Sequence, residues 1–332
     1  MHSQKNIAII GAGAWGTTIA NILAENAHNV SLWVRTERLA NIINSTNENQ
    51  IYLPGIKLSN RINVFTNLKK TIENKDIIFL GIPSQYIRDI SRKCSRFVSN
   101  GSLIVNLSKG IEEKTYKRMS EVIEDEIPNN IVASLSGPNH SIEVAQKKPT
   151  ATVISSKSNE AMNIVKDILS TDYFKVYPHD DIIGVEICGA VKNIPAIASG
   201  IIGELNYGDN TKASVITLGL AEMNIIGMFY GAKRKTVYGL AGVGDLVVTC
   251  TGTHSRNQYV GRLLAKGKSL AEIKTLLHGM VAEGIETTKV VYEISQKHNL
   301  KMPLTIEVYN ILYNGKRIDL AMKDLLERVQ NG

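Results

Sequence analysis

Cysteine is scarce in this chain of 332 residues, with only 3 present: Cys94, Cys188 and Cys250. Odd in number, far apart and lacking C-x-x-C spacing, they exclude a disulfide framework and offer neither a zinc knuckle nor a redox pair. A reducing compartment fits such usage, so the expected localisation is cytoplasmic. Cys188 lies one helical turn before Lys192, a setting that can activate a thiol, although a buried and inert cysteine is the commoner case. A basic block is also missing. The net charge of +7 comes from Lys and Arg scattered along the chain without interleaved aromatics, which argues against nucleic acid and for a phosphorylated small molecule. No uncharged run of bilayer length exists either: the longest apolar stretch, 182–202, contains Glu186 and Lys192, so a buried helix is expected there and no membrane insertion. The first strand begins so early that a charged n-region and cleavage site have no room, and no secretory leader is expected. Repeats and low-complexity linkers are absent. Hydrophobic residues at 43% and charged residues at 21% are those of a soluble globular chain, and its length suggests about two domains.

What is present is organised around Ile7-Ala8-Ile9-Ile10-Gly11-Ala12-Gly13-Ala14-Trp15-Gly16. An unbroken β-branched run reads as a buried parallel strand, and it stops in glycines before helical spacing restarts over 17–24. Gly11 permits the tight bend, Gly13 lets the backbone approach a pyrophosphate, and Gly16 lets the helix lie close on the strand. The helix N-terminus then faces an anion. A second strand, Val30-Ser31-Leu32-Trp33-Val34, completes the βαβ context and ends in Arg35. An NAD fingerprint carries Asp or Glu there on the ribose hydroxyls; a guanidinium instead suits the 2′-phosphate of NADP, the alternative being a solvated loop arginine.

Strand-like runs at 6–10, 30–34, 76–80, 103–107, 131–135, 151–155 and 174–177 alternate with amphipathic segments such as 114–126 and 160–169. This is the signature of an α/β fold whose N-terminal, Rossmann-type sheet is doubly wound and mostly parallel. Beyond 181 the strand signal vanishes and apolar residues recur at helical spacing over 183–205, 213–230, 256–266, 270–277, 286–298, 304–313 and 319–329. The expected division is therefore a dinucleotide-binding domain over 1–181 and an all-helical substrate-binding and catalytic domain over 182–332, with the substrate in a cleft between them. Three strand exits, Gly81-Ile82-Pro83-Ser84, Ser108-Lys109-Gly110 and Ser136-Gly137-Pro138-Asn139, should converge with the first glycine turn at the carboxyl edge of the sheet. That places Lys109 beside the cofactor.

Lys192 stands alone in an apolar helix, three residues before Pro195, whose missing N–H disturbs the helix. Desolvation lowers the pKa of a buried lysine towards values useful for proton transfer, unless the head simply reaches water. The glycine-rich approach Gly239-Leu240-Ala241-Gly242-Val243-Gly244 presents one carboxylate, Asp245, which needs a partner such as Lys192 or a substrate hydroxyl. Ser255 is a good N-cap, and Arg256 and Asn257 behind it add donors suited to phosphate oxygens. Glu283, after Val281 and before another helix, can accept from an amide or a ribose.

Taken together, the glycine turn with Trp15, Leu53-Pro54-Gly55, Ser108-Lys109-Gly110-Ile111-Glu112, Ser136-Gly137-Pro138, Ala190-Val191-Lys192-Asn193, Gly244-Asp245-Leu246-Val247-Val248-Thr249-Cys250-Thr251, Ser255-Arg256-Asn257 and Glu283-Gly284 resemble the bacterial NAD(P)-dependent glycerol-3-phosphate dehydrogenases over nearly the whole chain. The resemblance implies that Lys192 is the catalytic acid/base. It implies that Lys109, Gly137, Asn139, Lys192, Asp245, Ser255, Arg256 and Asn257 line the substrate. It further implies that Gly11, Gly13, Ala14, Trp15, Gly16, Arg35, Lys109, Ser141, Arg256, Val281 and Glu283 line the cofactor. One departure stands out: where the family usually has Ser-Gly-Pro, then Ser or Thr, then Phe-Ala, this chain has Asn139-His140-Ser141 after Ser136-Gly137-Pro138. Asn139 still donates and accepts hydrogen bonds, and His140 replaces a packing aromatic.

The implied reaction is reversible hydride transfer between NADP(H) or NAD(H) and dihydroxyacetone phosphate, giving sn-glycerol 3-phosphate for glycerophospholipid synthesis, with no metal required. The alternatives are another two-domain NADP-dependent reductase of the 3-hydroxyacid or ketopantoate type, against which the phosphate-suited Ser255-Arg256-Asn257 speaks, and a non-catalytic dinucleotide sensor, which has no need of Lys192. Analogy at the level of the fold points to a homodimer through the helical domain.

Overall fold

The computed structural model describes residues 4–253, 255–277 and 279–330. The chain forms two compact units, Met1–Ser108 with Lys117–Val185, and Lys109–Tyr116 with Glu186–Gly332. A single cut after 181 therefore misses one feature: a short segment early in the chain belongs with the helical unit.

The first unit holds an eight-stranded sheet in the order β3-β2-β1-β4-β5-β6-β7-β8. Its strands are β1 Asn6–Ile10, β2 Asn29–Trp33, β3 Ile62–Phe65, β4 Ile77–Leu80, β5 Leu103–Asn106, β6 Val132–Ser136, β7 Thr150–Ser156 and β8 Phe174–His179. All neighbours pair in parallel except β6 with β7. Successive side chains of a strand face opposite sides, so Ile7 and Ile9 pack in one apolar layer with Ile19 and Leu23, while Ala8 and Ile10 pack in the other with Ile87 and Val122. Covering both faces of β1 is what makes its sequence continuously apolar. Strand β3 escaped the sequence reading because Ile62-Asn63-Val64-Phe65 is a short, half-buried edge strand, without the unbroken run that marks its central neighbours.

The helix expected over 114–126 begins only at Met119. Tyr116 has a φ of +59°, a left-handed conformation that ends any helical run. The backbone N–H of Arg118 then donates to the Glu121 carboxylate at 2.9 Å, a cap that starts the helix Met119–Glu126.

In the second unit the helix expected over 183–205 is divided into Ile182–Val191 and Asn193–Glu204. Pro195 has no N–H to give to the carbonyl four residues earlier, that of Val191, so the ladder loosens beside Lys192. Of the apolar window in this pair of helices 94% is buried, so it is a core rod despite its membrane-like hydropathy. Its packing is unusually close. A Cβ on Gly200 would lie 2.1 Å from the Gln258 carbonyl oxygen, and one on Gly261 would lie 2.0 Å from that of Ile197, so two glycines let the helices Asn193–Glu204 and Arg256–Ala265 cross backbone to backbone. The helix Gly208–Tyr230 contributes a buried carboxylate, Glu222, which accepts from the N–H of Thr305 at 3.0 Å and from its hydroxyl at 2.6 Å, and so caps the helix Pro303–Tyr313 from outside.

Candidate active site

In the first unit the three glycines of the first turn do three different things. Gly11 has a φ of +113°, and a Cβ there would lie 2.5 Å from the Gly81 carbonyl oxygen, so it holds the exits of β1 and β4 together at the point where the sheet order reverses. A Cβ on Gly16 would lie 2.0 Å from the carbonyl oxygen of Gly11, so the helix Ala14–Glu25 sits directly on the turn. Around Gly13 a Cβ would meet nothing within 4 Å. That open side lies at a helix N-terminus which no side chain caps and which carries no acidic residue in its first turn. Uncapped N–H groups beside open space are what a pyrophosphate requires. Next to them the Trp15 indole packs edge-on to Phe174, and its buried N–H has no hydrogen-bond partner among the described residues. Arg35 is exposed just after β2. The residues present thus fit a dinucleotide.

The exits of β4 and β5 do meet, through the Ser108 hydroxyl, which donates to the Ile82 carbonyl. After β6, Gly137 has a φ of +142°, and a Cβ there would press on Thr152 at 3.1 Å. Asn139 is buried and donates to the Thr152 hydroxyl at 3.0 Å, and that hydroxyl donates to the Ser136 carbonyl at 2.9 Å. The departure from the family pattern at Asn139 is therefore absorbed by an internal polar pair. Ser141 opens the helix Ser141–Ala145, and its carbonyl accepts from Thr18 at 3.3 Å.

Lys109 follows the end of β5 by three residues, and its ammonium lies 2.7 Å from the Asp245 carboxylate, inside the second unit. The other oxygen of Asp245 accepts from Lys192, which also donates to the Thr249 hydroxyl at 2.8 Å. Asp245 is delivered by a π-helical turn, Leu240–Gly244, and starts the helix Asp245–Thr251, where the helix dipole favours its charge. Gly242 makes that turn feasible, since a Cβ there would lie 1.9 Å from the Val237 carbonyl oxygen. Asp245 is 1% exposed and Lys192 6% exposed. Burial pushes the Lys192 ammonium down to about 7, helped by the like charge of Lys109 and opposed by Asp245. Burial alone would raise Asp245, but Lys109 and Lys192 hold it below the ordinary carboxylate range. A carboxylate that stays ionised thus fixes a lysine able to give or take a proton near neutrality. The three cysteines are all buried, and burial pushes Cys94 up to about 12 and Cys250 up to about 11, so these two remain thiols.

Ser255 caps the helix Arg256–Ala265 by accepting from the Gln258 N–H at 3.3 Å, which leaves Arg256 exposed on its first turn, with Glu283 as the opposite charge acting on it. Asn257 is buried and committed elsewhere. It donates to Asn193 at 2.8 Å and accepts from the Gly284 N–H at 3.0 Å, tying the residue after Lys192 to the start of the helix Glu283–His298. Val281 is half-buried in the loop before that helix. Three residues in this network received no role from the sequence: Thr249, Asn193 and Gln258. Thr249 follows Asp245 by one helical turn, the spacing that puts both on one face. Gln258 donates to the carbonyls of Thr249 and Gly252 at 2.7 Å each, closing the helix end that carries the site.

The family model for the N-terminus of NAD-dependent glycerol-3-phosphate dehydrogenase matches residues 6–162, and the model for the C-terminus of the same family matches residues 181–323. A glycerol-3-phosphate dehydrogenase [NAD(P)+] of Chlorobium limicola is 44% identical over 326 residues, covering 97% of this chain and 98% of the relative. One of Bacillus velezensis is 42% identical over 330 residues, covering 98% and 95%. The crystal structure of glycerol-3-phosphate dehydrogenase from Coxiella burnetii superposes with a TM-score of 0.94 at 35% identity, over 98% of this chain and 99% of that one. With both halves matched by one pair of models, the chain belongs to the NAD-dependent glycerol-3-phosphate dehydrogenase family.

Proposed function

We propose that the chain catalyses reversible hydride transfer between NAD(P)H and dihydroxyacetone phosphate, giving sn-glycerol 3-phosphate for glycerophospholipid synthesis. The observation that carries this reading is the buried Lys192 held by Asp245, with Lys109 on the other carboxylate oxygen. The first unit holds the dinucleotide, with Gly11, Gly13, Ala14, Trp15, Gly16 and Arg35 as its residues; when bound, the nicotinamide supplies or accepts the hydride. Lys192 gives its proton to the alkoxide that develops on the ketone oxygen, and in the reverse direction takes the hydroxyl proton. Asp245 stays ionised and fixes the lysine head. Lys109 and Lys192 together outweigh the single charge of Asp245, which favours an anionic substrate. Arg256, on a helix whose first N–H groups already favour negative charge, holds the phosphate. Asn257, through its bonds to Asn193 and Gly284, keeps these elements in register.

The test is oxidation of NADPH and of NADH by the purified chain with and without dihydroxyacetone phosphate. Ketone-dependent oxidation is expected, and its absence with both cofactors overturns the reading. In the same assay Arg35→Ala should weaken NADPH by about tenfold, the worth of one charge-assisted hydrogen bond, and leave NADH unchanged. Equal losses for both would remove Arg35 from the 2′-phosphate.

A homodimer through the helical unit is part of this proposal. The helix Gly208–Tyr230 supports it: beyond its polar first turn it is largely apolar, only 33% of its apolar window is buried, and Met228 and Phe229 are exposed near its end. Sedimentation of the purified chain as a monomer at assay concentration would rule it out.

A further inference from the structure

Residues 109–116 leave β5 and return to the helix Met119–Glu126, both in the first unit, yet they fold as part of the second. One end of this segment is Lys109, on Asp245. At the other end three separate groups hold Tyr116. The hydroxyl of Tyr230, the last residue of the helix Gly208–Tyr230, donates to the Tyr116 carbonyl at 2.8 Å. The hydroxyl of Tyr116 donates to Glu293 at 3.1 Å, and the Lys297 ammonium stands 6.0 Å from its ring centre. Between the ends, Ile111 is fully buried and Glu113 pairs with Lys289 at 3.7 Å. Tyr116 itself adopts a φ of +59°, which is rare for a bulky residue and persists only where its surroundings over-determine it. The N–H of Tyr116 donates to the Glu112 carbonyl at 2.9 Å, which closes the segment into a compact turn.

We propose that Tyr230, together with Tyr116 and Glu293, braces the 109–116 segment so that Lys109 stays against Asp245, which makes Tyr230 a positioning residue for proton transfer by Lys192. The inference rests on the reaction proposed above and names a residue outside its site. The Glu113–Lys289 pair is partly exposed and contributes little by itself. The Tyr230 hydroxyl binds the backbone directly, at the residue where the chain must turn back. Lysine has a long flexible stem, so its head is placed only as well as its backbone is held. When the brace slackens, Lys109 withdraws, and Lys192 keeps its attraction to Asp245 but loses the repulsion of the second ammonium; it then holds its proton to higher pH. The charged groups acting on Lys192 are Asp245 and Lys109. Cys250, on the helix of Asp245, stays a neutral thiol throughout this range.

Tyr230→Phe deletes the hydroxyl and keeps the ring. Its expected result is a two- to tenfold loss of kcat, about the worth of one hydrogen bond, with the KM for NADPH and the Tm nearly unchanged. The alkaline limb of ketone reduction should move up in pH. In a Lys109→Ala background Tyr230→Phe should cost nothing further, because the two residues act through one interaction. Losses that multiply in the double variant, or an alkaline limb that does not move, overturn the brace. If the wild-type chain turns over no dihydroxyacetone phosphate, the proposed reaction fails by that result alone. The brace is then decided by NMR titration of the Lys192 Nζ in the free protein, where an upward shift in Tyr230→Phe upholds it and an unmoved titration overturns it.

Discussion

Lys192→Met is expected to lower turnover by about a hundred- to ten-thousand-fold, the contribution typical of a positioned general acid–base group, while cofactor affinity and fold persist. The fold persists because methionine keeps the apolar stem and Asp245 retains Lys109 at 2.7 Å, so no buried charge is left without a partner. Near-normal turnover in the variant would take Lys192 out of the mechanism. The wild-type pH dependence follows from the same group. Burial pushes Lys192 down to about 7, and reduction of the ketone needs the ammonium form, so the reduction rate falls as pH rises through that value. Oxidation of the alcohol needs the free amine and rises over the same interval. Profiles of kcat/KM in the two directions should therefore bend in opposite senses, and both bends should vanish in Lys192→Met.

Arg256→Ala is expected to lower catalytic efficiency on dihydroxyacetone phosphate by about a hundredfold or more while barely changing the slow reduction of unphosphorylated dihydroxyacetone. The phosphate is remote from the ketone, and its binding energy serves to orient the reacting carbon. Arg256 is the exposed guanidinium on the first turn of a capped helix, so its charge adds to the helix dipole at the same place. Asn257, already bonded to Asn193 and Gly284, has less to offer the phosphate. Both ketones must be compared at one ionic strength, since the effect is electrostatic. Proportional losses on the two would assign Arg256 to the cofactor or to the fold.

Much of the first unit was legible from residue order. The run Ile7 to Ile10 faces two covered layers and so is apolar at every position, and the glycines behind it answer to local needs, a positive φ at Gly11 and a close approach at Gly16. Strand β3 was not legible, because an edge strand needs only a partial apolar face. Lys192 was conspicuous as a lone charge in an apolar helix. The break beside it, which Pro195 explains, was expected only in outline.

What the sequence by itself determined is whatever depends on periodicity and on residue type at a single turn: the alternating layers, the helical second half, the dinucleotide turn, and the presence of an ionisable group in an apolar run. Tertiary structure decided which groups meet. Lys109 lies 136 residues from Asp245 in the chain, and Lys192 lies 53 residues from it. Nothing in the local pattern near Lys109 shows that residues 109–116 fold with the other unit. That placement rests on the buried Ile111, the left-handed Tyr116 and the Tyr230 hydroxyl. Likewise Asn257 reads locally as a phosphate ligand at a helix start, and only the arrival of Asn193 and Gly284 commits its amide to them. Secondary structure is written in short-range spacing, whereas the partner of a buried polar group is set by which distant backbone packs against it.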